Sequence, residues 1–160
     1  MARDGLPLLE IVEATVARAR AEGGWHKPTA LCIEDLVVNT GRTWLAARIS
    51  GNDTVASPMR YVAVGTVATA PSLANTTLAG EIRRKLSAVA TNNNGNVWTT
   101  TATFGGFADS IQSVAIVEAG VFNHASSGQG TMLQRVTFAA ATLANSDILS
   151  VTLQINVGSS

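Results

Sequence analysis

The sequence feature that most limits the possible folds is the alternating stretch near the end of the chain. Within Ile148–Val157, polar and apolar residues alternate strictly from Ser150 onward. Its apolar positions are Val151, Leu153, Ile155 and Val157. A two-residue period puts the two sets on opposite faces of a β-strand. The stretch therefore predicts a strand with one face in a core and the other in a polar environment.

A second β pattern spans residues 113–138. Two runs rich in Val, Ile, Phe and Leu flank a linker of small polar residues, 123–130, that contains two glycines. Because glycine adopts the positive φ angles that a chain reversal needs, this pattern predicts a β-hairpin with a long loop. Glu118 and Arg135 are the only charged residues of its two arms, and pairing of the arms places them where they can form an ion pair.

Further strands are predicted at Met59–Val67, Ile82–Ala90 and Val97–Phe104. The last two flank Asn94-Gly95, and Asn-Gly is a strong signal for a hairpin turn. The pattern of Leu31–Val38 is ambiguous between a buried strand and a helix. Together these segments predict a mainly β fold, an antiparallel β-sandwich of jelly-roll-like type.

Two helices complete the predicted fold. The first covers residues 6–22, where Pro7 suits the first turn, Gly23-Gly24 ends the helix, and apolar residues recur every three or four positions. The second is short, Arg42–Ser50, preceded by Asn39-Thr40-Gly41 as its N-terminal cap.

We predict two parts in this chain of 160 residues, an N-terminal helix or arm, 1–24, and a β-sandwich domain, 25–160. The helix either packs on its own domain or docks on a neighbouring subunit, since a Gly-Gly hinge follows it. The sequence leaves both alternatives open.

The distribution of charge predicts what the protein contacts. Eleven basic and eleven acidic residues give no net charge, so the chain lacks the positive field that attracts nucleic acid or an anionic membrane. Beyond Lys85 the charged residues are Asp109, Glu118, Arg135 and Asp147. A monomer in solution normally carries a more charged surface. We therefore expect another protein to cover much of this surface.

The sequence predicts neither a membrane-spanning segment nor an export signal. No apolar run approaches the roughly 20 residues that span a bilayer. Acidic residues interrupt the part of the N-terminus that would be the apolar region of a signal peptide. The expected place of synthesis is the cytoplasm.

No complete catalytic motif is present. His26 and His124 lack a second ligand at metal-binding spacing, and Cys32 is expected to be a small buried hydrophobe. Glu81 and Glu118 are a candidate glycosidase pair, with structural, ion-paired positions as the alternative. We predict a protein that is not an enzyme and has no catalytic, cofactor-binding or metal site.

Arg83-Arg84-Lys85 is a basic triplet within a predicted strand. Strand residues point to alternate faces, which divides the triplet and favours contact with an acidic partner over a nucleic-acid patch. A carbohydrate-binding module would need aromatic platforms, for which Trp98 and Tyr61 are the candidates.

Several segments resemble, in order, a pattern common in small structural proteins of tailed bacteriophages. The matching segments are Arg60–Thr66, Ala70-Pro71, Asn75–Arg83, Glu118–Asn123 (EAGVFN), Gly130–Phe138 (GTMLQRVTF) and Asp147–Val157. The resemblance covers about residues 59–157 of the printed sequence. The chain departs from the pattern at Val67, where the pattern has a glycine, and at Asn75, where it has an aspartate.

The resemblance implies a non-enzymatic structural protein of the virion. The expected role is a capsid decoration or cement protein that binds and stabilises the lattice of the major capsid protein. A tail component, such as a collar, fibre or fibre-attachment protein, is the alternative, and a carbohydrate-binding module is a distant third. The resemblance also implies that the protein is a homo-oligomer, that it assembles in the host cytoplasm and is found in the virion, and that its partners are other virion proteins.

Four residues of the matching segments have an expected physical role. Gly65 and Gly120 allow bends or close backbone approach within strands. Glu81 with Arg83 is expected to order a loop.

Overall fold

The structure, a computed structural model, describes residues 14–20, 24–25, 36–51, 57–92 and 97–156. These residues form ten strands and one helix, which confirms the mainly β class. In chain order the elements are β1 Ala14–Arg20, β2 Gly24–Trp25, β3 Leu36–Val37, α1 Asn39–Ile49, β4 Tyr61–Gly65, β5 Glu81–Leu86, β6 Ala88–Asn92, β7 Val97–Gly105, β8 Ala115–Phe122, β9 Met132–Thr142 and β10 Ile148–Asn156.

The strands form two five-stranded sheets in which neighbouring strands are antiparallel. Sheet A has the order β2-β1-β10-β7-β6, and sheet B has the order β3-β9-β8-β4-β5. The chain crosses from sheet B to sheet A at Ser87, between β5 and β6. There the Ser87 N–H and hydroxyl both donate to the Arg60 carbonyl at 2.8 Å, and the Thr100 hydroxyl donates to Ser87 Oγ at 2.6 Å.

Apolar side chains of both sheets share one core. In β10 the buried residues are Leu149, Val151, Leu153 and Ile155, with half-buried polar residues between them, which confirms the predicted faces of this strand. Sheet B contributes Val62, Val64, Ile116, Ala119, Val121, Leu133 and Val136 to the same core. The opposite face of sheet B carries a smaller cluster that includes Ala63, Leu78 and Phe122. Sheet B is thus covered on both faces.

The first predicted hairpin is present as paired strands, and the second is present only in part, because residues 82–86 belong to β5 in sheet B. β8 pairs with β9, and the connecting loop contains Gly128 and Gly130 at φ angles of 72° and 79°, as the sequence predicted. β6 pairs with β7, with Asn92 opposite Val97. The Asn94-Gly95 turn between them lies outside the described residues.

The N-terminal helix predicted for residues 6–22 is wrong over Ala14–Arg20, which forms β1. β1 pairs with β10, from Ala14 opposite Leu153 to Ala19 opposite Ile148. An isolated helix of this length is marginal in water, whereas the edge of β10 offers a row of unpaired backbone groups. This long-range pairing overrides the local helical pattern. Residues 6–13 lie outside the described residues, and the boundary predicted at residue 24 stays a prediction, with strands of one sheet on both sides of it.

The short second helix is present as α1, which begins earlier than predicted. Its N-cap is Val38, whose side chain makes no capping hydrogen bond. The Asn39 N–H donates to the Leu73 carbonyl at 2.9 Å, and the Thr40 hydroxyl donates to the Met132 carbonyl at 3.0 Å, which attaches the first turn to β9. A Cβ atom on Gly41 would lie 2.7 Å from the Leu133 Cα atom, so glycine lets the helix approach the strand. Of the ambiguous segment before it, Leu36–Val37 is strand β3, Val38 is the N-cap of α1, and residues 31–35 lie outside the described residues.

Gln134 places an amide group in the interior. The residue is fully buried in β9, opposite Val121. Neither its Oε1 nor its Nε2 atom has a hydrogen-bond partner within the described part of the chain. A buried amide without a partner lowers stability by roughly 1–3 kcal/mol.

Replacing Gln134 with methionine is expected to raise the free energy of unfolding by about 1 kcal/mol or more, because an unbranched apolar side chain removes the unpaired amide at similar volume. Urea denaturation of the two proteins measures the difference. Gln154→Met, on the half-buried face of β10, is the matched control and should change stability by less than about 0.5 kcal/mol. A loss of stability in Gln134→Met would contradict the unpaired state of the amide.

Candidate functional site

Most of the segments that carry the sequence resemblance meet at a buried ion pair in sheet B, whereas Asp147–Val157 contains β10 and belongs to sheet A. Glu118 in β8 and Arg135 in β9 are 0% and 1% exposed in their side chains. Both the Nε and Nη2 atoms of Arg135 lie 2.9 Å from Glu118 Oε2. The ion pair predicted from the hairpin is therefore confirmed.

Glu118 holds the end of the connection between β4 and β5, residues 66–80. Its carboxylate accepts hydrogen bonds from the Ala79 N–H at 3.1 Å and the Gly80 N–H at 2.6 Å. Gly65 leaves room for this contact, since a Cβ atom there would collide with Glu118 Oε1 and lie 2.6 Å from the Gly80 carbonyl oxygen. The close approach predicted for Gly65 is confirmed, and its cause is a buried carboxylate.

Arg135 holds the beginning and middle of the same connection. Its Nη2 atom donates to the Thr69 carbonyl at 2.9 Å, and its Nη1 atom donates to Asn75 Oδ1 at 3.0 Å. Asn75 Oδ1 also accepts from the Ser72 N–H at 2.7 Å. The side-chain oxygen of Asn75 accepts both hydrogen bonds. Asparagine at this position therefore still offers Arg135 a hydrogen-bond acceptor.

The expected contact of Glu81 with Arg83 is wrong, because Glu81 pairs with Arg84. Arg84 Nε and Nη2 donate to the two carboxylate oxygens of Glu81 at 2.8 and 2.7 Å. Its guanidinium lies 3.7 Å from the centre of the Phe122 ring. The remaining Nη1 atom donates to three carbonyls of the hairpin loop, those of His124, Ser126 and Gln129, at 2.9, 3.0 and 3.1 Å. Arg84 therefore orders the hairpin loop, a role with no signal in the local sequence.

The other two residues of the basic triplet point to the opposite side, as alternation along β5 predicted. Arg83 Nε lies 3.4 Å from Asp109 Oδ1, and Lys85 Nζ lies 3.0 Å from Asp109 Oδ2. The acidic group that they contact belongs to the same chain. Asp109 Oδ2 also accepts from the Gly105 N–H at 2.7 Å, which secures the turn after β7.

The pKa of Asp109 is lowered from its usual value of 3.8. Burial alone would raise the pKa, but the hydrogen bond from Gly105, the hydrogen bond and charge of Lys85, and the charge of Arg83 outweigh it. The folded state therefore favours the ionised carboxylate.

Asp109→Asn is expected to lower stability near pH 7, because the amide loses both ion pairs. A depressed folded-state pKa adds stability above the unfolded pKa of about 3.9, and that contribution disappears as the pH falls through the lower folded-state pKa. The difference in free energy of unfolding between the two proteins should therefore be constant above about pH 5 and shrink below pH 4. Denaturation curves from pH 7 to pH 2.5 measure it, and a difference that does not change with pH would contradict the assignment.

The candidate glycosidase carboxylates, Glu81 and Glu118, each form an ion pair with a different arginine. The ion-paired alternative of the sequence therefore describes their geometry. His124 is exposed, and its Nδ1 atom accepts from the Ser126 N–H at 3.1 Å. Among the described residues no group of three or more His, Cys, Asp or Glu side chains could hold a metal. His26 and Cys32 lie outside the described residues.

An apolar cleft of about 560 Å³ lies between α1 and the two sheets. Its walls include Trp44, Leu45, Met59, Val89, Trp98 and Ile155. A smaller and more polar cleft of about 310 Å³, lined by Tyr61, Asn123 and His124, adjoins it at Pro58 and Arg60. The two aromatic platforms considered for carbohydrate, Trp98 and Tyr61, therefore line different clefts. Residues from distant segments form the apolar cleft, so no local pattern could reveal it.

The surface formed by residues 86–160 is free of charged side chains. All four charged residues beyond Lys85 are buried, namely Asp109 at 5%, Glu118 at 0%, Arg135 at 1% and Asp147 at 4% exposure. Segments 93–96 and 157–160, which the structure does not describe, contain no charged residue. Residues 86–160 therefore present only polar and apolar side chains, with Phe107 72% exposed.

Comparisons with known proteins returned no match: no family model, no curated protein and no solved structure is similar to the chain. Within the described segments, no helix has the length and apolar character needed to cross a bilayer. The geometry of the chain itself is what bears on its function.

Proposed function

We propose that the protein is a non-enzymatic structural protein of a tailed-phage virion that decorates the capsid by binding the major capsid protein. The observation that carries this proposal is the surface of residues 86–160, from which every charged side chain is withdrawn into the interior. A freely soluble domain normally carries about a quarter or more charged residues on its surface. A surface without them is suited to permanent contact with other proteins.

The ion pairs support an architectural role for the segments that resemble phage proteins. Glu118 and Arg135 attach the connection 66–80 to sheet B, and Arg84 attaches the hairpin loop. The connection contains no charged residue, and it exposes Val67 and Leu73. Buried charges thus hold an uncharged outer surface in one shape. Such a preformed surface loses little conformational entropy on binding.

The finer fold belongs to the same proposal: the two sheets form an antiparallel β-sandwich of jelly-roll-like type. It is supported by the shared core, in which Leu153 and Ile155 of sheet A join Val62 and Val121 of sheet B. Such a sandwich offers its outer faces and loops for contacts between subunits. We propose a homo-oligomer that assembles in the host cytoplasm and stays in the virion.

Stabilisation of the capsid would come from area buried across the boundaries between capsid subunits. A standard protein interface buries about 800 Å² on each partner. The uncharged connection 66–80 and the exposed Phe107 are available for such a contact. A contact through either of these surfaces requires no catalytic group.

Electron microscopy of particles made with and without the protein tests the proposal. Density missing from the capsid surface, at a copy number that follows the capsid lattice, would support it. An unchanged capsid surface with density missing from the tail would establish the alternative, a collar, fibre or fibre-attachment protein. Glycan-array binding that is lost in Trp98→Ala or Tyr61→Ala would instead indicate a carbohydrate-binding module.

A further inference from the structure

The connection between β7 and β8, residues 106–114, holds an exposed aromatic ring on a fixed base. Phe107 is 72% exposed, although large aromatic side chains are normally at least partly buried. Its N–H donates to the Asn145 carbonyl at 3.1 Å. A Cβ atom on Gly106 would collide with the Ala144 carbonyl oxygen, so the backbone on both sides is in close contact. The residue that carries the ring is therefore held against the turn between β9 and β10.

The far end of the same connection is fixed as well. Ile111 is 2% exposed and belongs to the shared core. The Ser113 N–H donates to the Leu143 carbonyl at 2.7 Å. Ser110 and Ser113 adopt positive φ angles of 57° and 60°, a conformation that residues other than glycine adopt at an energetic cost. The connection thus keeps one shape in spite of this cost, with the Phe107 ring in solvent.

The surface next to the ring is neutral and largely apolar. Ala108, Ala144 and Asn145 are exposed. Ile148 lies opposite Gly105 in the pairing of β10 with β7 and is 39% exposed. Apolar surface gathered in one place on a soluble protein marks a site of contact with another protein. An aromatic side chain on a rigid base contributes strongly to such a contact, because it buries a large area and loses little conformational entropy.

Two partly exposed cations lie at the edge of this patch. Asp109, two residues beyond the ring, pairs with Arg83 and Lys85, whose side chains are 46% and 38% exposed. One buried carboxylate thus serves two positive charges, so one positive charge is in excess. All acidic residues of the described part of the chain have buried carboxylates, namely Glu81, Asp109, Glu118 and Asp147. A partner with acidic groups at its surface would complement the two cations.

We propose that Phe107 is the anchor residue of the contact with the major capsid protein. Its ring enters an apolar pocket of that protein, and carboxylates at the edge of the pocket pair with Arg83 and Lys85. This assignment rests on the proposed capsid role and specifies the chemistry of the partner, an apolar pocket with an acidic edge. The described residues of a second copy do not offer such an edge, because their carboxylates are buried.

Binding of the full-length protein to purified particles that lack it tests the proposal. Phe107→Ser should weaken binding about 30-fold or more, the effect of losing a central aromatic side chain of an interface. Its melting temperature should stay within about 2 °C of that of the unmodified protein, because the ring is mostly in solvent. Ile49→Ser is the matched control, since Ile49 is 86% exposed on α1, and this variant should bind with unchanged affinity.

The outcomes separate this assignment from the proposed function. If the unmodified protein does not bind the particles, the capsid role itself is wrong, and the anchor with it. If the unmodified protein binds and Phe107→Ser binds equally well, the capsid role is kept and the anchor is wrong.

The acidic edge of the pocket has a test of its own. Arg83→Gln should weaken binding by up to about fivefold, as expected for a pair at the rim of an interface. Its affinity should also fall less steeply with rising salt concentration than that of the unmodified protein. An equal salt dependence of the two proteins would show that the partner places no carboxylate against Arg83.

Photo-crosslinking identifies what the ring contacts. With p-benzoylphenylalanine in place of Phe107, irradiation of the bound complex should attach the protein to the major capsid protein, in a segment that contains both apolar and acidic residues by mass spectrometry. A crosslink within the same chain would show that the subunit covers this position itself. A crosslink to a second copy or to a tail protein would assign the position to another interface. Each of these three results would overturn the proposal.

Discussion

Replacing Arg135 with methionine is expected to lower the free energy of unfolding by about 3–5 kcal/mol. The substitution leaves the carboxylate of Glu118 fully buried without its cation. It also removes the hydrogen bonds to the Thr69 carbonyl and to Asn75. A typical domain is stable by about 5–15 kcal/mol, so this single change removes a large share of the stability. Urea denaturation at pH 7 measures the loss.

Arg83→Met is the matched control, since it removes an arginine from an ion pair at the surface. The Arg83 side chain is 46% exposed, and such a pair contributes less than about 1 kcal/mol. Hydrogen exchange at the Ala79 and Gly80 amides gives a local measurement, because these amides donate to Glu118. They should exchange faster in Arg135→Met and stay protected in Arg83→Met. Equal losses of stability in the two variants would contradict the role of the buried pair.

Replacing Leu153 with aspartate is expected to prevent folding. Leu153 is fully buried in the core at the centre of sheet A, with Ala14 and Thr100 as its cross-strand neighbours. The variant loses the burial of a leucine and buries a carboxylate without a partner, each of which costs several kcal/mol. Circular dichroism should show no cooperative thermal transition.

Gln154→Asp is the control for the same strand and the same introduced charge. Gln154 lies on the other face of β10 and is only half-buried. A carboxylate there keeps contact with water, so the variant should fold and melt cooperatively. Soluble Leu153→Asp protein with a cooperative transition would show that the buried face of β10 is assigned wrongly.

The elements predicted well from the sequence are those whose signal is local. Strict alternation marks β10, and two glycines at positive φ mark the loop between β8 and β9. The ion pair of Glu118 with Arg135 followed from the same hairpin, since these are the charged residues of its arms. Pairing of the arms was enough to bring the two side chains together.

The remaining features depend on contacts between distant segments. Residues 82–90 were predicted as one strand, but the chain changes sheets at Ser87, where Arg60 and Thr100 supply the hydrogen bonds. Ala14–Arg20 has a helical spacing of apolar residues and is nevertheless a strand, since β10 is available as a partner. Neither the change of sheet at Ser87 nor the pairing of β1 with β10 can be predicted from a window of neighbouring residues.

The candidate site shows the same limit. Arg84 belongs to a triplet that the sequence treats as three equal charges, yet only Arg84 is buried against Glu81 and the hairpin loop. The carbonyl groups that it contacts carry no side-chain signature. Trp44 and Trp98 are likewise ordinary aromatic residues until α1 and sheet A place them beside one cleft.

The pairing of β1 with β10 has a consequence for the time course of folding during synthesis. Ala14 leaves the ribosome early, but its partner, Leu153, is added after almost every other described residue. Before β10 is synthesised, the nascent chain already contains the residues of β4, β8 and β9. Sheet B can therefore assemble while β1 still lacks β10 as its partner strand. Long-range pairings of this kind form late. Until β10 emerges, the backbone groups of β1 that pair with β10 are open to pairing with other chains. Mispaired oligomers would therefore form when many chains are synthesised close together.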